Sequence, residues 1–153
     1  ILLRVKKLVL TNYYARACRL MISLQLSIPA TWLELVIMLL VSLVFLTSGI
    51  THFTNTAFYL SIMPPLIPSP LLVVYLTAVV ELILLVGLWI AKTRYYSAIG
   101  LIIFCLLVYP ANIYMAMYPD RFPQYTIPAL YVRLVLQFVL IYFVWLVRGP
   151  YPK

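Results

Sequence analysis

Charge is what this sequence most lacks. Of 153 residues only 9% are charged, against 66% that are hydrophobic. That leaves too few polar side chains to clothe a surface in water, which excludes an ordinary soluble domain. It also excludes a nucleic-acid binder, since the net charge of +8 has no water-soluble basic face to sit on. The solvent must be lipid. Histidine occurs once, so a bis-histidine haem site is excluded, and no cluster of metal-ligand residues or nucleotide-binding glycine pattern is present. The two cysteines, Cys18 and Cys105, form no CxxC and no plausible intrachain disulfide. Cys105 is read as packing. The chain therefore carries no recognisable redox centre, no covalently bound cofactor and no assignable catalytic residue of its own.

What is present is a set of long apolar runs. Four are long enough to cross a bilayer core, which needs about 20 apolar residues: Trp32 to Phe53, Leu71 to Ile90, Ser97 to Tyr118 and Pro128 to Val147. None shows the period-two alternation of a barrel strand, so all four are expected to be helices. The expected fold is all-α, a polytopic membrane protein built as a four-transmembrane-helix bundle. Residues 32–147 form the membrane domain and 148–153 a tail.

Lysine and arginine are missing from the first connection, whereas Lys92 and Arg94 occupy the second and Arg148 and Lys153 the C-terminus. The third connection has only Arg121, beside Asp120. By the positive-inside rule both termini are expected in the cytoplasm, with the excess charge matched to anionic headgroups. Trp32, Trp89 and Trp145 then fall at the cytoplasmic interface and Tyr59, Tyr118, Tyr125 and Tyr131 at the outer one.

Residues 1–31 stand apart. They hold Arg4, Lys6, Lys7, Arg16 and Arg19, lack a signal-peptide core, and are followed by no small-residue cleavage site. Two readings stay open: a basic arm lying on headgroups, or translation that starts at Met21.

Charges inside the apolar runs are the strongest functional signal. Near the centre of a spanning helix a charge costs at least about 2.5 kcal/mol, so it needs compensation. Glu81 and Arg133 are each enclosed in such a run, and are expected to be partners. At about 1.5 Å per residue, Glu81 lies roughly 15 Å and Arg133 roughly 8 Å below the outer ends of their helices, an offset an extended arginine can bridge.

Helical spacing gathers more polar residues toward them. Glu34, Val41, Phe45, Ser48 and His52 fall on one stripe of the first helix, Asn112 shares a face with Tyr109 on the third, and Gln137 shares one with Arg133 on the fourth. His52, Glu81, Asn112, Arg133 and Gln137 are expected to converge in the outer half, with Tyr109 as a pocket aromatic and Glu34 left near the cytoplasmic end. Pro110 cannot donate to the carbonyl of Leu106 and should kink the third helix there, opening a backbone acceptor. The stiff, uncharged Met63-to-Pro70 connection suits a cap pressed on the outer face.

The order of these motifs resembles the DoxX family of four-helix bacterial membrane proteins. Gly49-Ile50-Thr51-His52-Phe53, the proline-rich connection, Glu81, Tyr109-Pro110-Ala111-Asn112-Ile113-Tyr114-Met115-Ala116, and Arg133 with Gln137 carry the likeness from about Trp32 to Val147. The resemblance implies residence in the bacterial inner membrane and an association with membrane redox chemistry, as in thiosulfate:quinone oxidoreduction and oxidative-stress complexes. It also implies importance for His52, Glu81, Asn112, Arg133 and Gln137.

Three functional classes follow. The first expectation is a non-autonomous, quinone-binding subunit of a membrane redox system, with electrons supplied by a partner protein. The second is a small-molecule or proton-coupled transporter, for which a midplane carboxylate suits a proton site, although paired repeats and matched broken helices are missing. The third is a non-enzymatic assembly partner whose polar cluster only pins helices together. Association into a homo-oligomer is compatible with each. A cavity reaching Glu81 favours ligand binding, access from both sides favours transport, and a closed pair favours the structural role.

Overall fold

The computed structural model describes residue 29, residues 31–65 and residues 67–150. Cys18, Met21, the basic segment before residue 29 and Lys153 lie outside the described residues. Helix α1 spans Trp32–Thr54, α2 Thr56–Ser61, α3 Pro70–Leu88, α4 Arg94–Met117 and α5 Ile127–Val147, with a 3-10 turn at Pro119–Arg121. No strand occurs among the described residues. The four long helices are long and apolar enough to cross a membrane, and the chain is a multi-pass membrane protein.

Local chemistry sets the ends of these helices. Thr31 caps α1 by accepting the Glu34 N–H at 3.2 Å, which satisfies one of the orphan donors of a helix start. Pro70 opens α3 and Pro128 stands in the first turn of α5, positions where no N–H is needed. At the far end of α3 the carbonyls of Gly87 and Leu88 accept from Thr93 Oγ1 at 2.8 Å and from Arg94 Nε at 2.9 Å. Arg94 is thus tied to the α3 terminus it must turn away from, which fixes the tight α3–α4 connection.

The long helices form a ring in the order α1, α3, α4, α5, with α5 returning to α1; α1 faces α4, and α3 faces α5, across the diagonals. One apolar layer joins Met38, Val41 and Phe45 of α1 to Leu85 and Leu88 of α3, Leu101 and Phe104 of α4 and Val144 of α5. A second, at the end that carries α2, joins Ile62 and Phe122 of the connections to Met115 and Leu130. Outward residues are as apolar as inward ones: Leu72, Ile83, Leu107 and Val135 are all exposed. Such a surface is stable only in lipid, where burial of leucine supplies no drive between helices and close packing matters more. Gly100 provides an instance, since a Cβ there would stand 2.7 Å from Leu84 Cδ2.

The expected helix limits agree with these to within three residues at each end. One element went beyond expectation. The chain leaves α1 at Asn55, makes the short helix α2, and only then enters the proline-rich connection, so a short helix precedes the expected cap. Six residues are too few for a periodic signal. Ser69, between Pro68 and Pro70, adopts a left-handed conformation with φ of 51°, a strained turn into α3.

Candidate functional site

The expected polar residues form two clusters rather than one. On the α1–α3 side, Glu81 is only 1% exposed and its Oε2 lies 3.7 Å from His52 Nδ1. That nitrogen is already committed. It sits 2.8 Å from the Ser48 carbonyl, which can only accept, so Nδ1 carries the hydrogen and, in the neutral ring, Nε2 bears the lone pair. Neither oxygen of Glu81 has a hydrogen-bond partner among the described residues. Tyr59 of α2 stacks on the imidazole with ring centroids 3.7 Å apart, and its hydroxyl lies 2.7 Å from Thr51 Oγ1. The histidine is thereby clamped between its own helix and α2.

On the α4–α5 side a relay of amides serves Arg133. Its Nη2 donates to Asn112 Oδ1 at 3.1 Å, Asn112 Nδ2 donates to Gln137 Oε1 at 3.1 Å, and Gln137 Nε2 donates to the Cys105 carbonyl at 3.0 Å. The guanidinium also lies 5.7 Å from the centre of the Tyr125 ring, within cation–π range. Each link in this chain is oriented: a charged donor at one end, a backbone acceptor at the other.

The expected Glu81–Arg133 pair does not form. The reason is topological, because α3 and α5 occupy opposite corners of the ring and Arg133 finds its acceptor on the adjacent α4. Glu81 meets His52 on the adjacent α1 instead. Pro110 lies inside α4, where it has no N–H to give the Leu106 carbonyl. The Gln137 amide bonds the neighbouring carbonyl of Cys105, one residue before it. Tyr109 makes an edge contact with Phe138 at 5.3 Å between centroids and does not line the groove described next. Glu34 is half-buried at the opposite end, away from both clusters.

Between α1 and α5 runs a groove of about 430 Å³. Leu40 and Val44 of α1 face Leu136, Val139 and Phe143 of α5 across it, and Asn112, Arg133 and Gln137 supply its polar wall. From Arg133 to Phe143 it follows ten residues of helix, about 15 Å. Leu136 and Val139 are exposed, so the groove opens sideways toward lipid. Glu81 and His52 do not line it. Of the six candidate residues, therefore, three converge on the groove, two form a separate buried contact, and Tyr109 joins neither.

Two neighbours of the site were not foreseen. Tyr59 and Tyr125 were read as interfacial anchors, yet one stacks on His52 and the other lies under Arg133. Nothing in the spacing signals either contact, since both depend on where the connections fold back. A family model for a domain of unknown function, DUF8561, matches residues 41–148, a range that contains both clusters and the whole α5 wall of the groove. No curated protein and no solved structure matches the chain.

Proposed function

The chain belongs to the DUF8561 family, and we propose that it binds a lipid-soluble amphiphile of the quinone class in the groove between α1 and α5. The observation that carries this reading is the form of the groove: an apolar slot open to lipid, with polar donors concentrated at one stretch of its wall. Ligand sites typically combine apolar lining with a few placed polar groups. Arg133 uses one N–H on Asn112 and has four more with which to hold a carbonyl or anionic oxygen. The lipid-facing opening suits a ligand that arrives within the bilayer, its tail along Leu136, Val139 and Phe143.

In this reading the protein is a non-autonomous subunit of a membrane redox system in the bacterial inner membrane, with both termini cytoplasmic and electrons supplied by a partner protein. The resemblance to DoxX proteins supports it. A bound quinone would supply the electron-accepting chemistry; the residues of this chain bind and orient its head and exclude water from it. The polar chain Arg133–Asn112–Gln137–Cys105 keeps the guanidinium aimed along the groove wall and fixes α5 against α4. A second reading, a purely structural pin within an assembly partner, is favoured by the completeness of that same chain.

The test is to purify the protein gently, extract its apolar molecules and identify them by mass spectrometry, beside Val44→Trp, which fills the slot without touching the polar chain. Quinone enriched over bulk lipid in the wild type and lost in Val44→Trp supports the reading. Bulk phospholipid alone in both samples overturns it.

A further inference from the structure

The Glu81–His52 contact is not used by the groove, and it poses a problem of its own. A carboxyl 1% exposed, neither of whose oxygens completes a hydrogen bond of good geometry among the described residues, is among the costliest groups to keep in an apolar bundle. The groups that face it are few. On α1 there are His52, 3.7 Å away, and the Ser48 hydroxyl, a neutral neighbour of the carboxyl; on α2 there is Tyr59, stacked behind His52; on α4 the buried titratable neighbour is Cys105. Arg133, on α5, is bonded to Asn112. Only His52 can gain a positive charge in contact with Glu81.

That restricts how the site reaches neutrality. Imidazole is positive only when both nitrogens carry hydrogen. The pair therefore has two neutral forms, carboxylic acid beside neutral imidazole, and carboxylate beside imidazolium. The two forms contain the same number of hydrogens and differ in the position of one.

We infer that Glu81 and His52 form a proton-exchange site, in which one proton passes between Glu81 Oε2 and His52 Nδ1 and reaches the surroundings through His52 Nε2. Uptake begins with the carboxylate facing the Nδ1–H form of the ring. A proton taken up on the Nε2 lone pair gives imidazolium. The Nδ1–H then turns from the Ser48 carbonyl to Oε2 and transfers, leaving the acid and a neutral ring with its hydrogen on Nε2. Release is the reverse. His52 is the gate because its side chain keeps 9% of its surface accessible against 1% for Glu81, and because it lies two residues from the end of α1. Tyr59, held by Thr51, keeps the ring from swinging away from the carboxyl. This inference stands on a different observation from the groove and does not depend on what the groove binds.

The test uses the full-length protein in lipid nanodiscs and dicyclohexylcarbodiimide, an apolar reagent whose C=N bond adds the O–H of a protonated carboxyl. Peptide mapping is expected to find the adduct on Glu81 in the wild type, and none at position 81 in Glu81→Gln. Infrared spectra are expected to show a carboxylic-acid C=O band that is absent in Glu81→Gln and shifts when H2O is replaced by D2O. The shift should develop more slowly in His52→Gln. Absence of both adduct and acid band in the wild type overturns the proposal, as does a band that never shifts or that shifts equally fast in His52→Gln. Should His52→Gln fail to fold, the wild-type D2O shift still decides whether the proton exchanges at all.

Discussion

Asn112 is the residue on which the α4–α5 interface is most sensitive, and replacing it with leucine allows the hydrogen-bonded chain to be measured. Asn112 both accepts from Arg133 and donates to Gln137. Asn112→Leu therefore removes two of the three bonds, and Gln137→Leu also removes two, the second and third. An interhelical hydrogen bond in a membrane contributes about 0.6 kcal/mol on average and at most about 1.7. At the average, each single variant loses about 1.2 kcal/mol, while the double variant loses three bonds, not four. It should fall short of additivity by one bond, about 0.6 kcal/mol. Asn112→Leu should cost more than Gln137→Leu, since one of its bonds has a charged donor, a class that contributes about 1.5 to 3 kcal/mol. Equilibrium unfolding in mixed detergent micelles, followed by helicity and tryptophan fluorescence, gives the four free energies needed. A second cycle sharpens the reasoning. Glu81→Gln with Arg133→Met should be additive to within about 0.3 to 0.5 kcal/mol, as for separated sites, because the two residues occupy diagonal helices. Additivity in the first cycle, or clear coupling in the second, would refute the arrangement of polar contacts described above.

Three further outcomes are expected. Gly87→Ala should destabilise the bundle by about 1 to 3 kcal/mol, as overpacking does, because its new methyl would collide with Ser97 Oγ; Ser97→Ala in the same chain should recover part of the loss, as read by unfolding midpoints. Phe143→Ala enlarges the groove at the end away from Arg133 and should weaken retention of long-tailed quinones more than that of short-tailed ones, measured by displacement from nanodiscs. In cells, a cysteine placed at Ser69 should react with an impermeant maleimide from outside and one placed at Thr93 should not, in a background lacking Cys18 and Cys105; the reverse pattern would invert the proposed orientation.

The helices were legible because lipid imposes a simple code: four predominantly apolar runs, each bounded by proline, glycine, serine or charge. Faces were legible where polar residues recur at helical spacing. Val41, Phe45 and His52 of the α1 stripe are buried and its Glu34 and Ser48 half-buried, and Arg133 with Gln137 does share a face toward Asn112. What spacing cannot encode is the cyclic order of helices around a ring. Opposite charges in two apolar runs suggest a pair, yet α3 and α5 never become neighbours, and each charge settles for an adjacent helix. The short α2 and the partners it brings, above all Tyr59 on His52, were equally illegible, since a helix break at Asn55 leaves no periodic trace. The groove was illegible for a related reason. It is a property of the space between Val44 and Val139, residues that on their own read as ordinary lipid-facing valines.

The two clusters also differ in what they ask of the fold. Arg133 is compensated by a neutral amide chain that ends on a backbone carbonyl, and a satisfied network of this kind rigidifies the helices it joins. Glu81 has no such provision, although a leucine at the same position would pack an apolar bundle at no electrostatic cost. Buried polar groups are normally hydrogen-bonded, and each exception calls for a cause. Stability explains the Arg133 chain and does not explain Glu81. The position that the fold leaves unsatisfied is consequently the one whose chemistry a functional assay should address first, with the groove and its arginine as an independent site on the other side of the bundle.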